Sequence, residues 1–333
     1  MHAPSFWWRS PGIEAAVLAP FAGLYGAVAA RRLRRDGKRA SARVVCIGNP
    51  TVGGAGKTPT AIAFAHLLHA AGETPVFLTR GYGGRLSGPV QVGVALHSAD
   101  IGDEPLLLAQ HFPTIVARHR PSGANMAVTS GASVIVMDDG FQNPSLTKDV
   151  SVLVVDGRRG IGNGRVLPAG PLRAPLAEQL AKAHALLVVG HGNGAGPVQA
   201  AAQTRGLPIF FSELAPDRDA CALLQATKVL AFAGIGDPDK FFATLDQAGI
   251  AVPVRRGFAD HHRYTAAEAT ALLHEAAEHG LTLLTTEKDR ARMQGDPSLA
   301  ELRSRAKVLP VTLVLEDADA VQKFLLARLR RSA

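Results

Sequence analysis

Cysteine is almost missing from this 333-residue sequence: there are two, Cys46 and Cys221, far apart and outside any CxxC spacing. That excludes a disulfide framework or a thiolate zinc site, and it fits a reducing cytoplasm. Aromatic residues are scarce too, at 5%, which disfavours a protein that stacks on the bases of single-stranded nucleic acid. Charged residues reach only 19% against 47% hydrophobic. A chain of that composition has ample material for a buried core, and wholesale disorder is excluded.

What charge there is lies unevenly. The net charge is +8, and Arg9, Arg31, Arg32, Arg34, Arg35, Lys38, Arg39 and Arg43 face only Glu14 and Asp36 in residues 1–43, which therefore hold six of the eight. The remainder is close to balanced, so no nucleic-acid partner is expected. The basic run follows an apolar stretch, Gly12 to Ala30, that contains Glu14 and Pro20 and is preceded by Trp7 and Trp8. Tryptophans at one end and arginines at the other are interfacial anchors. Each basic residue beside an anionic membrane surface contributes about 1 kcal/mol. The stretch barely reaches the roughly 20 residues that span a bilayer. A helix lying in or dipping into the interface is therefore expected over a full span. Ala27-Val28-Ala29 resembles a signal-peptide cleavage site, but a signal peptide carries its charge before the apolar segment, not after it.

From Arg43 onward, apolar runs alternate with helical stretches. Val44–Ile47, Val76–Thr79, Ser133–Met137, Val152–Val155 and Leu186–Val189 are short and hydrophobic on both faces, as strands of a covered parallel sheet are. After Pro216 the pattern starts again. Val229–Ala233, Leu281–Thr285 and Val308–Val314 read as strands, with helices over Pro238–Ala248 and Thr265–His279 and a basic C-terminal helix including Phe324–Arg331. The expected organisation is an N-terminal membrane-associating helix and basic segment (1–40), a P-loop domain (41–215) and a smaller α/β domain (216–333). The fold class is α/β, P-loop NTPase-like, with a doubly wound, mostly parallel sheet.

The chemistry starts at Gly53-Gly54-Ala55-Gly56-Lys57-Thr58, between a strand and a helix. Glycines let successive backbone N–H groups turn toward phosphates, and the helix N-terminus favours their charge. Lys57 is placed for the β- and γ-phosphates and Thr58 for Mg²⁺. Thr51 through Thr58, including Val52 and Ala55, is the expected ATP-binding segment, although Thr51 stands where the strict pattern has its first glycine. The strand Ser133–Met137 ends in Asp138-Asp139, two acids suited to Mg²⁺ held directly or through water. Asp156, after Val152–Val155, competes for the same role. Guanine specificity is not supported, since Thr286-Glu287-Lys288-Asp289 is out of register with N-K-x-D. Val52 stands where partition-type ATPases carry a signature lysine. Two rivals differ in kind: another P-loop enzyme, such as a soluble GTPase or metallochaperone, which leaves the apolar N-terminus unexplained, and a non-enzymatic membrane or nucleic-acid binder using the basic N-terminus, in which Lys57→Ala would leave function intact.

The segment Gly48-Asn49-Pro50-Thr51-Val52-Gly53-Gly54-Ala55-Gly56-Lys57-Thr58-Pro59 resembles that of the tetraacyldisaccharide 4′-kinases of lipid A synthesis. So do Arg80-Gly81-Tyr82-Gly83-Gly84, Gly102-Asp103-Glu104-Pro105, Asp138-Asp139-Gly140-Phe141-Gln142, Leu167-Pro168-Ala169-Gly170-Pro171-Leu172-Arg173, Asp260-His261-His262 and Thr286-Glu287-Lys288-Asp289, in that order over nearly the whole chain. Thr51 is usual in that family. The resemblance implies transfer of the γ-phosphate of MgATP to the 4′-hydroxyl of a tetraacyldisaccharide 1-phosphate. This membrane glycolipid would be met at the cytoplasmic face of the bacterial inner membrane by a peripheral or monotopic enzyme with no obligate protein partner. It also implies a base at Asp103, with His261 as its partner and Lys57 as the third catalytic group. Thr58, Asp138, Asp139 and Glu104 are the metal-side candidates. Arg80, Tyr82, Arg118, His119 and Arg173 are those for the substrate, since arginine forks match its 1-phosphate. The role of Glu287-Lys288-Asp289 stays open between the ATP side and structure.

Overall fold

A computed structural model describes residues 3–331, so the first two and last two residues of the expected terminal segments lie outside the described residues. In chain order the strands are β1 (Arg43–Gly48), β2 (Pro75–Thr79), β3 (Val90–Gln91), β4 (Thr114–Val116), β5 (Val134–Asp138), β6 (Val150–Asp156), β7 (Ala185–Val189) and β8 (Ile209–Pro216). They continue with β9 (Lys228–Ala233), β10 (Ala251–Gly257), β11 (Thr282–Thr285), β12 (Lys307–Val308) and β13 (Val311–Leu315). Nine form one sheet in the order β13-β8-β7-β6-β1-β5-β2-β4-β3, and four form a second, β10-β9-β11-β12. The larger sheet is parallel from β8 to β4, with antiparallel β13 and β3 at its edges. The smaller is parallel throughout.

Side chains alternate across a strand, and here both faces are apolar. Val44 and Cys46 of β1 join one core with Ile135 and Leu153, while Val45 and Ile47 join another with Val136 and Val152. Helices Arg120–Thr129 and Leu176–Lys182 cover the first face. Helix α2 (Lys57–Ala70) and the C-terminal helix Ala318–Arg331 cover the second, through Phe64, Leu68, Val321 and Leu325. This is the doubly wound arrangement expected. Ligands of such sheets gather at the carboxyl edge of the strands. The loops after β1, β2, β4 and β5 carry Lys57, Arg80, His119 and Asp139 to that edge.

One expectation needs correction. The sequence pattern puts the last strand and helix in the smaller domain of 216–333, yet β13 pairs with β8 and the helix Ala318–Arg331 packs on α2, where Gln322 Nε2 donates to the Leu67 carbonyl at 2.8 Å. The chain thus returns to the larger body after β12. Leu313 and Leu325 find their partners there, in the core beside Phe64.

The N-terminal helix α1 (Ile13–Leu33) includes Pro20 and is long and apolar enough to cross a membrane by length and composition. It is docked along one stripe only. Ala15, Ala22, Gly26 and Leu33 are buried, with Gly26 against Val166 and Pro175, while Ile13, Val17, Phe21, Leu24 and Val28 are exposed. Trp7 fixes the entry to the helix, its Nε1 donating to the Pro168 carbonyl at 3.0 Å.

Candidate active site

The loop between β1 and α2 bends through left-handed backbone at Gly53 (φ 105°) and Gly56 (φ 88°), which only glycine adopts readily. A Cβ at Gly53 or Gly54 would meet open space, so the loop presents its backbone outward. Asn49 Nδ2 and Lys57 Nζ both donate to the Gly53 carbonyl, at 3.1 and 3.4 Å, bracing the turn. The first part of the expected ATP segment is engaged otherwise. Val52 N–H donates to the Pro171 carbonyl and Thr51 bridges Leu172, so Val52 has no free amide for a phosphate. The cradle narrows to Gly53–Thr58.

Thr58 Oγ1 donates to Asp138 Oδ2 at 3.0 Å, joining the loop to the end of β5. Asp138 Oδ1 is buried with no partner. Burial, reinforced by the negative charge of Glu104, pushes this carboxyl up to about 7, although Lys57 opposes the shift. A buried carboxylate so placed lacks a cation, and a magnesium ion fits that want. Asp139, beside it, is in left-handed backbone (φ 49°) and bonds Arg173 Nη1 at 2.8 Å. Burial would raise its pKa, but Lys57 and Arg173 together hold it below the ordinary value. Among the described residues, no three His, Cys, Asp or Glu side chains are grouped to hold a metal. The protein donors to any metal here are therefore few.

Asp103 is buried at the start of the helix Asp103–Leu108. His261 Nδ1 lies 3.2 Å from its Oδ1 and Arg292 Nη2 lies 2.6 Å from its Oδ2. Burial alone would raise the Asp103 pKa, but the His261 hydrogen bond and the charges of Arg292, His261 and Lys288 hold it far below the usual carboxylate range. His261 is raised in turn, chiefly by its hydrogen bond with Asp103. It comes from the smaller sheet's side and stands in left-handed backbone at φ 56°. His261 and Asp139 are the non-glycine residues with positive φ among the described residues, and both are at the site, where such backbone tends to gather. Glu104 bonds Lys288 Nζ at 3.0 Å. That charge, then burial in the opposite direction, then Lys57 set its pKa, which falls below the ordinary value. Lys57 thus neighbours both Glu104 and Asp138 electrostatically, which places the Asp103–Glu104 turn beside the phosphate loop.

The remaining expected site residues divide. Tyr82 is exposed, with its ring 5.3 Å from that of His261. Its loop can lie on the Asp103 turn because Gly102 (φ 85°) has no side chain: a Cβ there would come within 2.2 Å of the Tyr82 carbonyl. Arg80 is exposed at the end of β2. Arg118 spends one amine on the Gly84 carbonyl at 3.0 Å, and His119 Nδ1 lies 2.7 Å from Ser122 Oγ. Arg173 is held beside the phosphate loop: Nε donates to the Thr51 carbonyl at 2.9 Å and Nη1 to Asp139. The cause is the strand-like crossing of Pro171–Arg173 over Pro50–Val52. Sequence reasoning missed Arg292. Its only local signal is the i, i+3 spacing from Asp289, in a helix whose N-cap is Thr286.

A lysine and threonine at a helix N-terminus, a carboxylate on the adjacent strand and a carboxylate–histidine pair across from them make up a P-loop phosphotransferase. The family model for tetraacyldisaccharide-1-P 4'-kinase (LpxK) matches residues 14–330, and the chain belongs to that family. Curated proteins named tetraacyldisaccharide 4'-kinase are similar over the full length. One from Afipia carboxidovorans is 51% identical over 100% of this chain and 98% of its own. One from Methylobacterium sp. is 54% identical over 96% and 95%. Among solved structures, LpxK from Aquifex aeolicus in complex with ATP superposes with a TM-score of 0.73 at 26% identity, covering 95% of this chain and 99% of that one.

Proposed function

We propose that the chain transfers the γ-phosphate of ATP to the 4′-hydroxyl of a tetraacyldisaccharide 1-phosphate, with Asp103 accepting the hydroxyl proton. The observation that carries this is the Asp103–His261 pair set beside Lys57 and Thr58 of the phosphate loop and Asp138 at the end of β5. Phosphoryl transfer asks for positioning and charge neutralisation more than for covalent chemistry. The N–H groups of Gly53–Thr58 and the Lys57 ammonium hold the phosphates, and Arg173 adds charge from the Asp139 side. Thr58 and Asp138 would hold Mg²⁺, which when bound supplies charge neutralisation at the phosphate oxygens. Asp103, a weak base, takes the proton late, as the hydroxyl oxygen bonds to phosphorus. His261 orients Asp103. Arg80, Tyr82, Arg118 and His119 line the approach at the ends of β2 and β4, where the sugar and its phosphate enter.

The exposed stripe of α1 serves membrane docking. Ile13, Val17, Phe21, Leu24 and Val28 enter the interface of the inner membrane's cytoplasmic leaflet, and Arg31, Arg32 and Arg35 face its anionic headgroups. A helix docked to the body along its other stripe suits monotopic attachment better than a span. The test is transfer of labelled γ-phosphate from ATP to the lipid in detergent micelles, with Asp103→Ala alongside. Labelled lipid from the wild type and near-loss in the variant are expected. Nucleotide hydrolysis without labelled lipid would sink the reading.

A further inference from the structure

The helix Glu287–Arg292 follows β11 of the smaller sheet, yet two of its side chains reach the acids of the Gly102–Glu104 turn: Lys288 meets Glu104, and Arg292 meets Asp103. At its centre is Asp289, wholly buried. It accepts from the Gly234 amide at 3.1 Å, Tyr264 Oη at 3.0 Å, Thr286 Oγ1 at 2.7 Å and Arg292 Nη1 at 2.6 Å. Arg292 Nη1 also donates to the Gly234 carbonyl at 3.1 Å, and that same carbonyl takes the backbone N–H of His261. One hub therefore places both groups that touch Asp103. Space there is tight: a Cβ on Gly234 would meet Asp289 Oδ1 at 3.1 Å and Arg292 Nη1 at 3.2 Å.

A buried arginine serving only its own unit would be satisfied by Asp289 and the nearby carbonyls. Arg292 instead sends Nη2 across to Asp103 Oδ2, with both side chains almost fully buried, at 6% and 4% exposure. The planar fork allows this, since its two amines point along fixed, divergent directions. With Oδ2 on Arg292 and Oδ1 on His261, the carboxylate is held at both oxygens.

We propose that Arg292, anchored by Asp289, is a positioning residue that fixes the orientation in which Asp103 meets the acceptor hydroxyl. The proposal rests on the reading of Asp103 as the proton acceptor. It gives the smaller sheet a second duty besides supplying His261. Near-attack geometry is steep in distance, and a misplacement of about 1 Å costs roughly 100-fold in rate.

The experiment is steady-state kinetics of Arg292→Met, Arg292→Lys and Asp103→Asn with ATP and the tetraacylated disaccharide, with thermal unfolding of each. Arg292→Met should lower kcat by roughly 100-fold and leave KM for both substrates within about twofold. Arg292→Lys keeps the charge and one hydrogen bond and should recover about tenfold of that loss. If the methionine variant does not fold, the lysine variant carries the test: reduced kcat at unchanged KM supports the proposal. Wild-type kcat in the Arg292 variants, or a loss confined to KM, overturns it. An inactive Asp103→Asn beside fully active Arg292 variants overturns the positioning role alone. An active Asp103→Asn removes the acceptor reading, whatever Arg292 does.

Discussion

Asp138 illustrates how one buried group couples metal binding to stability. Its carboxyl, raised to about 7 by burial and by Glu104, carries a proton in the folded chain that the unfolded chain releases near its ordinary value of about 4. Stability from that proton is complete below about pH 4 and is lost as pH rises through about 7. In metal-free, nucleotide-free protein, Asp138→Asn should therefore be more stable than wild type at about pH 8, on the order of 1–4 kcal/mol. The advantage should vanish near pH 4, and the variant should transfer no phosphate. Magnesium with a non-hydrolysable ATP analogue should raise the unfolding temperature of the wild type far more than that of the variant. A stability difference independent of pH would mean that Asp138 is ionised without its metal. Lys57, Thr58 and Asp138 were legible in the sequence because chain-local rules fix them: an apolar strand, a glycine turn, a helix start. Arg292 was not, nor was the pairing of Arg173, because their partners lie 189 and 34 residues away, at Asp103 and Asp139. No local pattern tells an arginine which carboxylate it will meet.

Helix α1 is the element whose two faces demand different partners. Ala15, Ala22, Gly26 and Leu33 fall on one buried stripe, and Gly26 lets the helix lie close to Val166 and Pro175. The large side chains Val17, Phe21 and Leu24 fall opposite and remain exposed. Full burial of a Val, Leu or Phe side chain contributes roughly 1.5–3 kcal/mol, so charging two of them should abolish insertion. Val17→Asp with Phe21→Asp should keep the unfolding temperature and the turnover of micellar lipid. It should lose flotation with anionic vesicles. A fall in unfolding temperature with flotation retained would show that the exposed stripe packs on protein instead. The apolar length and the basic flank were visible in the sequence, as were β1, β2, β5, β6 and β7 through their apolar runs; β4, three residues long, and β8, broken by Ser212 and Glu213, were not. The placement of β13 was not. An edge strand with alternating burial looks alike in either sheet, and only its pairing with β8 and the packing of the final helix on α2 decide between them.

At the scale of the whole molecule, the site exists only where the two sheets meet. The phosphate loop and Asp103 belong to the larger body, and His261, Lys288 and Arg292 to the smaller. Contacts away from the chemistry hold them together. Arg158 and Arg159 both reach Asp237 Oδ2, at 2.8 and 2.7 Å, and Lys240 reaches Asp156 Oδ2 at 3.2 Å. Arg159 also lies over the Trp8 ring, 5.4 Å from its centroid, which ties the entry to α1 to the same seam. Arg158 is 59% exposed and Arg159 37%, so each pair contributes only about 0.2–1 kcal/mol. Losing both, up to about 2 kcal/mol, shifts the balance between joined and parted bodies by about thirtyfold at most. Only the joined form is competent, so apparent affinity scales with its population. Asp237→Asn should therefore lower kcat/KM by up to about thirtyfold with kcat at saturation nearly unchanged, because bound substrates restore the joined form. Exposed pairs are screened by salt, so raising ionic strength should bring the wild type down toward the variant while moving the variant little. Parallel salt profiles for the two proteins would show that burial at Asp103–Arg292 joins the bodies without help from the rim.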